Sequence, residues 1–376
     1  MAYRVLLVEG NRLMLEQLAQ AIQGAAGFQL VARYQLPSDA LGQGTMFKPN
    51  LILLDIDAQN MVSMLGDFRR VYPDAAIVCM SEQWQAEGAS RMVQAGARGL
   101  IIKPFTAEEL QESIDTFAKS GMEGVSQVMT FFSPKGKSGK TTLIANLALA
   151  LARKTEEQVG IIDADLQFGD LTLFFNLHPQ ATIVEAVHDI DDIAPVTLNN
   201  RYFTPVAKNV HVLCGTRSPN LIDRVSIRRF EDLVRMSRSL YRYLLIDVPP
   251  GFNPTSIAAA ELADTTYVVS MVNGGYEVEH MRRALDIFRD WDDYESSVRP
   301  IFTRVTTCDA SSLSHLEHDL GNSVDAIIPN AYQIVSAAAD NGNMAMDIEP
   351  DSELAISVNR LAKNIIGRHR IRWNRS

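Results

Sequence analysis

The sequence predicts an α/β protein built from two doubly wound domains, each a largely parallel sheet with helices on both faces, and three observations carry that expectation. Short apolar runs alternate with segments of helical period across residues 1–119, and the same rhythm returns over residues 128–367. Residues 118–127, AKSGMEGVSQ, are small, polar and glycine-bearing, which predicts a linker at 120–127 between the two series. At the start of the second series, a loop rich in Gly and Lys stands between an apolar run and a long helical pattern: FFSPKGKSGKTT, Phe131 to Thr142. A glycine-bearing turn that hands over to a helix N-terminus is a cradle for anions, because the first N–H groups of the helix have no partner within it.

Composition narrows the class. A chain of 376 residues accommodates two or three domains with their own cores, and 47% hydrophobic with 21% charged residues describes an ordinary globular protein. Cys79, Cys214 and Cys308 lie far apart with no CxxC or Cys/His spacing, so neither a disulfide framework nor a zinc site is expected, and a reducing cytoplasm fits. The start, MAYRVLLVEGNRL, has a short apolar run that stops at Glu9, as a core strand does and a signal peptide does not. No stretch approaches the ~18 apolar residues of a membrane span. A net charge of −10 argues against a protein that coats DNA through its whole surface.

In the first domain the expected strands are Tyr3 to Val8, Gln29 to Tyr34, Leu51 to Leu54, Ala76 to Met80 and Gly99 to Ile102. Between them, Leu13 to Ile22 and Ala107 to Phe117 carry apolar stripes of helical period. A doubly wound sheet gathers its chemistry at the carboxyl ends of the strands, and there stand Glu9, Asp55, Ser81 and Lys103, the last followed by Pro104. Their order and spacing resemble a response-regulator receiver domain of flavodoxin-like fold. The resemblance implies that Asp55 accepts phosphate, Ser81 senses it and Lys103 pairs with it. Glu9 takes one position of the family's metal-binding acid pair, the next is Gly10, and Leu100 stands where an aromatic is expected. Three readings stand: an atypical receiver kept for protein contacts, residual phosphorylation with Asp57 supplying the missing carboxylate, or a simple Asp55–Lys103 ion pair.

In the second domain the expected strand Val128 to Phe132 feeds the loop, and a helix starts at Thr141. Against the phosphate-loop pattern GxxxxGK[ST], the chain keeps Gly139, Lys140 and Thr141, with Pro134 in place of the first Gly. Gly139 lets the backbone approach a β-phosphate, the Lys140 ammonium reaches between β and γ, and the Thr141 hydroxyl suits Mg²⁺. Further along, Leu244 to Ile246 is an apolar strand with Asp247 at its end, where a carboxylate holds Mg²⁺ through water. The turn Pro249, Pro250, Gly251 follows. A Mg²⁺-bound polyphosphate is therefore expected, and the resemblance described next implies that it is ATP with Mg²⁺. After Val159 to Ile162 the acids Asp163 and Asp165 lie two residues apart beyond a strand end. The stretch 189–223, broken by Pro195, Pro205 and Pro219, reads as loops and short helices without chemistry. Helix Ile227 to Leu240 precedes the Asp247 strand, and strands Thr266 to Val272, Arg299 to Thr303 and Val324 to Ile328 alternate with helices Glu277 to Trp291 and Ser311 to Leu320. A last helix, Ser352 to Ile366, leads into a basic tail at 368–376 with Arg368, Arg370, Arg372 and Arg375, either solvated or touching anionic lipid or nucleic acid.

Lys135, five positions before Lys140, makes the loop resemble the deviant Walker A sequence KGGxGKTT of the MinD/ParA ATPases. That resemblance implies nucleotide binding along Lys135, Gly136, Lys137, Ser138, Gly139, Lys140, Thr141 and Thr142, with Lys135 reaching across a homodimer to the other subunit's nucleotide. Such a device is worth roughly 10³–10⁵ in rate where measured. The family's second Gly is Lys137 here, a side chain that either crowds the dimer face or adds charge to it. The resemblance further implies that Asp165 orients the attacking water, that Asp163 lies nearer the metal, and that Pro249, Pro250 and Gly251 form a γ-phosphate switch. It also carries adenine contacts onto Thr303, Arg304 and Pro329, although Asn is common in the family at Thr303.

The longer string DADLQFGDLTLFFNLHPQATIVEAV resembles the CpaE/TadZ family, ATPases of Flp (Tad) type pilus assembly that join an atypical receiver to a MinD-like domain. It implies a slow, regulatory ATPase that positions a pilus secretion machine. The implied partners are pilus assembly and secretion proteins at the inner membrane or cell pole, with membrane contact peripheral and nucleic acid not expected. The alternative is a ParA-like ATPase partitioning DNA or other cargo.

Overall fold

A computed structural model describes residues 3–57, 61–72, 75–83, 92, 95–119, 126–193, 195–216, 225–272, 275–291, 294–306, 310–340 and 342–373. The chain divides into two compact units: Met1–Ser126 with Ile190–Asn200 and Arg235–Arg242, and the remainder. Most of the expected linker, and Cys308, lie outside the described residues.

In the first unit the five strands are β1 (Tyr3–Val8), β2 (Phe28–Tyr34), β3 (Leu51–Asp55), β4 (Ala76–Ser81) and β5 (Gly99–Ile102). They pair in parallel in the order β2-β1-β3-β4-β5, the doubly wound arrangement expected of a receiver. Strand residues alternate between two cores, as a period of two requires. Val5, Leu7, Leu51, Leu53 and Val78 pack with Leu18, Ile22, Leu110 and Ile114 on one face. Leu6, Val8, Ile52, Leu54 and Ile77 pack with Leu65 and Phe68 on the other. The helix Arg12–Gly24 starts where the Asn11 side chain accepts from the Leu13 and Met14 N–H groups, so the chain turns immediately beyond the carboxyl end of β1.

The second unit holds an eight-stranded sheet. Its strands are β6 (Gln127–Phe132), β7 (Val159–Asp163), β8 (Phe203–Ala207), β9 (Val210–Leu213), β10 (Tyr243–Asp247), β11 (Thr265–Met271), β12 (Val298–Val305) and β13 (Ala326–Pro329). They run in the order β13-β12-β11-β6-β10-β7-β9-β8, with only the β8–β9 pair antiparallel. The parallel register sets Asp247 beside Phe131 on one side and Asp163 on the other, so three strand ends converge on the loop after β6. That convergence places the site.

The helix Lys140–Thr155 is buried along Leu143–Ala152. It shares its core with Leu354, Val358, Leu361 and Ile365 of the helix Glu353–Trp373, and a helix apolar on nearly all sides needs such a cover.

Two expectations are corrected. The stretch 189–223 is not only loops and short helices: beside the helix Pro195–Tyr202 it contains β8 and β9, and β9 extends the sheet from β7. The final helix does not stop before the basic tail but continues to Trp373, and Arg368 is ion-paired with Asp325 rather than free in solvent. The side chains of Arg370, Arg372 and Arg375 lie outside the described residues. The short helices Tyr332–Asp340 and Ala345–Ile348 had no counterpart in the sequence reading.

Candidate functional site

The loop between β6 and the helix Lys140–Thr155 is shaped by its backbone. Gly139 sits at the helix N-terminus with φ 79°, a left-handed conformation natural to glycine, and no side chain caps the helix there. The opening N–H groups are thus left to a ligand. Lys137 also has a positive φ, 63°, which explains why a glycine is usual at that position. Lys135 and Lys137 are exposed, whereas Ser138 and Lys140 are buried. Lys140 Nζ donates to Ser133 Oγ at 2.9 Å, and the buried Ser138 Oγ has no hydrogen-bond partner among the described residues.

Thr141 Oγ1 donates to Asp247 Oδ2 at 2.7 Å, bringing together the hydroxyl and the carboxylate expected to share a metal ion. Burial pushes the Asp247 carboxyl up to about 6, against the opposing pull of Lys140 and Thr141. A carboxylate so placed welcomes a cation, which would supply what solvent cannot. The residues present therefore fit a Mg²⁺-bound polyphosphate: Thr141 and Asp247 for the metal, Lys140, Ser138 and the helix N–H groups for the phosphates.

Asp163, expected nearer the metal, lies beside Asp247 at the end of β7. It is fully buried, Oδ1 accepts from the Asp165 N–H at 3.2 Å, and Oδ2 accepts from the Leu171 N–H at 3.3 Å. A Cβ on Gly169 would stand 2.4 Å from its Oδ2, and one on Gly215 3.1 Å from its Cγ, so two glycines enclose the carboxyl group. Burial, with Asp247 and Asp165 nearby, raises its pKa well above the carboxylate range. Asp163 thus ties down the 163–171 loop. Asp165 opens that loop, its Oδ1 accepting from the Phe168 N–H at 3.0 Å and the Gln167 N–H at 3.3 Å.

The Pro249–Gly251 turn is joined to the phosphate loop. The Gly251 N–H, at φ 81°, donates to Ser133 O at 2.8 Å, and Ser256 Oγ donates to Pro249 O at 2.9 Å. Behind the turn, Phe252 packs on Phe132 and Phe288 with ring centroids 4.6 and 5.3 Å away.

Beside the loop, an open cleft is lined by Gly139, Thr142, Thr303, Arg304, Pro329 and Tyr332 among others. It brings together the three residues assigned to adenine. Thr303 Oγ1 donates to the Ser138 carbonyl, tying β12 to the phosphate loop. Asn146 and the Asn330–Tyr332 turn, also lining the cleft, were not singled out in the sequence. The position of Asn330–Tyr332 just after a strand end is the signal that could have found them.

In the first unit, Glu9, Asp55, Ser81 and Lys103 form one pocket. Lys103 Nζ lies 2.6 Å from Glu9 Oε2, 2.7 Å from Asp55 Oδ1 and 3.2 Å from Asp57 Oδ2. Burial would lower the Lys103 pKa, but the bonds from Asp55 and Glu9 outweigh it and raise it. Glu9 Oε1 accepts from the Asn11 N–H at 2.8 Å, so both its oxygens are engaged. Asp57, weighed in the sequence as a source of the missing carboxylate, joins the pocket, and Ser81 Oγ donates to its Oδ1 at 2.5 Å.

Comparison with known proteins agrees with both halves. Residues 5–115 match the response regulator receiver domain family, and residues 124–293 match a ParA family described as NUBPL iron-transfer P-loop NTPase. The chain is a receiver domain followed by a ParA/MinD-type P-loop NTPase domain. The receiver half is similar to the chemotaxis protein CheY of Bacillus subtilis, 28% identical across 31% of this chain and 97% of that protein. The receiver–NTPase is also 27% identical to an uncharacterised ATP-binding protein of Methanocaldococcus jannaschii, over 62% of this chain and 86% of the relative. In fold it is similar to the Mg-ADP complex of the septum site-determining protein MinD from Pyrococcus horikoshii, with a TM-score of 0.55 and 18% identity over 64% of this chain and 96% of that one.

Proposed function

We propose that the receiver–NTPase binds ATP with Mg²⁺, hydrolyses it slowly, and uses the nucleotide state to switch pairing with a second copy or with an assembly partner. The observation that carries this reading is the Thr141–Asp247 bond, 2.7 Å long and beside a buried Lys140, at the mouth of the phosphate loop. When bound, Mg²⁺ would neutralise charge on the phosphoryl oxygens. Lys140 and the helix N–H groups hold the phosphates, Asp165 at the start of the 163–171 loop orients water, and Lys135, exposed at the loop tip, reaches toward the partner copy. A γ-phosphate contact at Gly251 requires its N–H to leave Ser133 O, so nucleotide and turn exchange a hydrogen bond.

The cargo that fits the CpaE/TadZ-like string is a Flp/Tad pilus machine at the inner membrane or pole, with the receiver domain docking assembly proteins. Contact with the membrane is peripheral: among the described residues no helix is long and apolar enough to cross one. ParA-like DNA partition is the second reading, and the ion pair that engages Arg368 weakens it. If about four phosphates were neutralised, log affinity for DNA would fall with log salt at a slope of roughly −3.6.

The deciding experiment measures solution mass and nucleotide binding with Mg²⁺ alone, with ADP and with ATP, for the native chain, Lys140→Ala and Asp165→Ala. Lys140→Ala should lose nucleotide. Asp165→Ala should keep it, slow turnover and accumulate the ATP-bound pair. Equal loss of binding in both variants would remove the role given to Asp165, and an unchanging mass with intact ATP binding would remove pairing in favour of partner binding.

A further inference from the structure

A dianionic group added to Asp55 would have to be met by donors at the carboxyl edge of the first sheet. The parallel register puts Asp55 beside Met80, so the donors at hand are those of the next residues, Ser81 Oγ and the Glu82 N–H, together with the Lys103 ammonium. All three are already gathered on one carboxylate, that of Asp57. Ser81 Oγ donates to Oδ1 at 2.5 Å, the Glu82 N–H donates to Oδ2 at 2.9 Å, and Lys103 Nζ lies 3.2 Å from Oδ2.

The chain is built to hold Asp57 there. Its own N–H donates to Asp55 Oδ1 at 3.0 Å, a local turn that aims the side chain across to β4. Two donors and an ammonium converge on its two oxygens, Ser81 Oγ on Oδ1 and the Glu82 N–H and Lys103 Nζ on Oδ2. Residue 10, where a Cβ would stand 3.9 Å from Asp55 Oδ2, is glycine, so it brings no carboxylate to share a cation with Asp55.

We propose that Asp57 is a built-in substitute for a phosphoryl group on Asp55: its carboxylate holds Ser81, Glu82 and Lys103 where phosphorylation would otherwise draw them. The receiver domain then stays in one state whether or not a phosphodonor is present, and acts as a fixed docking module. Asp55 serves to orient Lys103 and the Asp57 turn. This inference stands apart from the ATPase reading and survives its failure.

Backbone hydrogen exchange at Glu82 in the full-length protein reads the bond directly, with β3 N–H groups as the folding control. Asp57→Ala should raise exchange at Glu82 by about tenfold or more, the usual consequence of losing a charge-assisted bond. Asp57→Asn should raise it by a smaller factor, because one amide oxygen replaces two carboxylate oxygens. The native chain with Mg²⁺ and acetyl phosphate should show neither a change at Glu82 nor a phosphoryl adduct by mass. The proposal is overturned if both Asp57 variants exchange at Glu82 as the native chain does, or if acetyl phosphate phosphorylates the native chain and alters that exchange.

Discussion

Gly169→Ala tests whether Asp163 holds the catalytic loop in place. The added methyl carbon would stand 2.4 Å from Asp163 Oδ2, 2.5 Å from Oδ1 and 2.7 Å from Cγ. Carbon and oxygen keep about 3.3 Å apart even in close contacts, so the carboxyl group would have to retreat by about 1 Å. The side chain is fully buried, so that retreat must displace the groups packed around it. Its bonds to the Asp165 and Leu171 N–H groups, at 3.2 and 3.3 Å, are already at the long end and would break. Two lost bonds at about 1 kcal/mol each, with an overpacking cost of about 1–3 kcal/mol, predict a destabilisation of about 3 kcal/mol after some relaxation of the loop. Urea unfolding measures it, with Gly136→Ala as the control, since the nearest atom to a Cβ there is Pro250 Cγ at 3.9 Å. ATP turnover should fall in Gly169→Ala as well, because Asp165 begins the displaced loop. Unfolding curves of both variants that overlay the native one would refute the enclosure of Asp163 as a constraint.

Other outcomes follow from the same coordinates. Asp247 has its folded pKa raised to about 6 from 3.8, so the nucleotide-free protein binds a proton that the unfolded chain has lost between about pH 4 and 6. Stability contributed by this group therefore falls as pH rises through that window, by up to about 3 kcal/mol, and Mg²⁺–nucleotide binding near pH 5.5, measured by calorimetry in two buffers, should release roughly three-quarters of a proton from it. Thr303→Val removes the hydroxyl that donates to the Ser138 carbonyl and should weaken ATP binding by about fivefold in a fluorescent-nucleotide titration, with the fold intact. Arg368→Met leaves the Asp325 carboxylate, whose Oδ2 already lacks a hydrogen-bond partner among the described residues, without its cation. A loss of about 1–3 kcal/mol in urea unfolding is expected, with no change in the salt dependence of any DNA binding.

What could be read from the sequence was what short segments encode by themselves. Tyr3–Val8 and Gly99–Ile102 end in the structure where the apolar runs end in the chain. Lys140, Thr141 and Asp247 were legible because each motif compresses its chemistry into a few residues beside a strand end. β8 and β9 were hidden: β8 contains Pro205 and both are short, so a segment punctuated by prolines read as irregular until β7 supplied an edge to pair with. The remaining features depend on partners distant in sequence. Ser81 finds Asp57 across 24 residues, Arg368 finds Asp325 across 43, and Thr303 reaches the Ser138 carbonyl across 165. The resemblance put Asp163 nearer the metal, and the close approach of Gly169 and Gly215 to its carboxyl group depends on packing that the sequence does not display.

The two borders of the eight-stranded sheet bear on how copies of this chain can meet. β8 at one border is five residues long with Pro205 at its centre, and β13 at the other is four residues long and ends in Pro329. Proline offers no N–H, so neither border presents the unbroken ladder of donors that a foreign strand would need. Sheet-to-sheet growth, the common route from a large α/β domain to fibres and amorphous aggregate, is blunted at both ends. Assemblies made through this sheet are therefore expected to use loops and side chains, which nucleotide can rearrange, rather than backbone ladders, which it cannot.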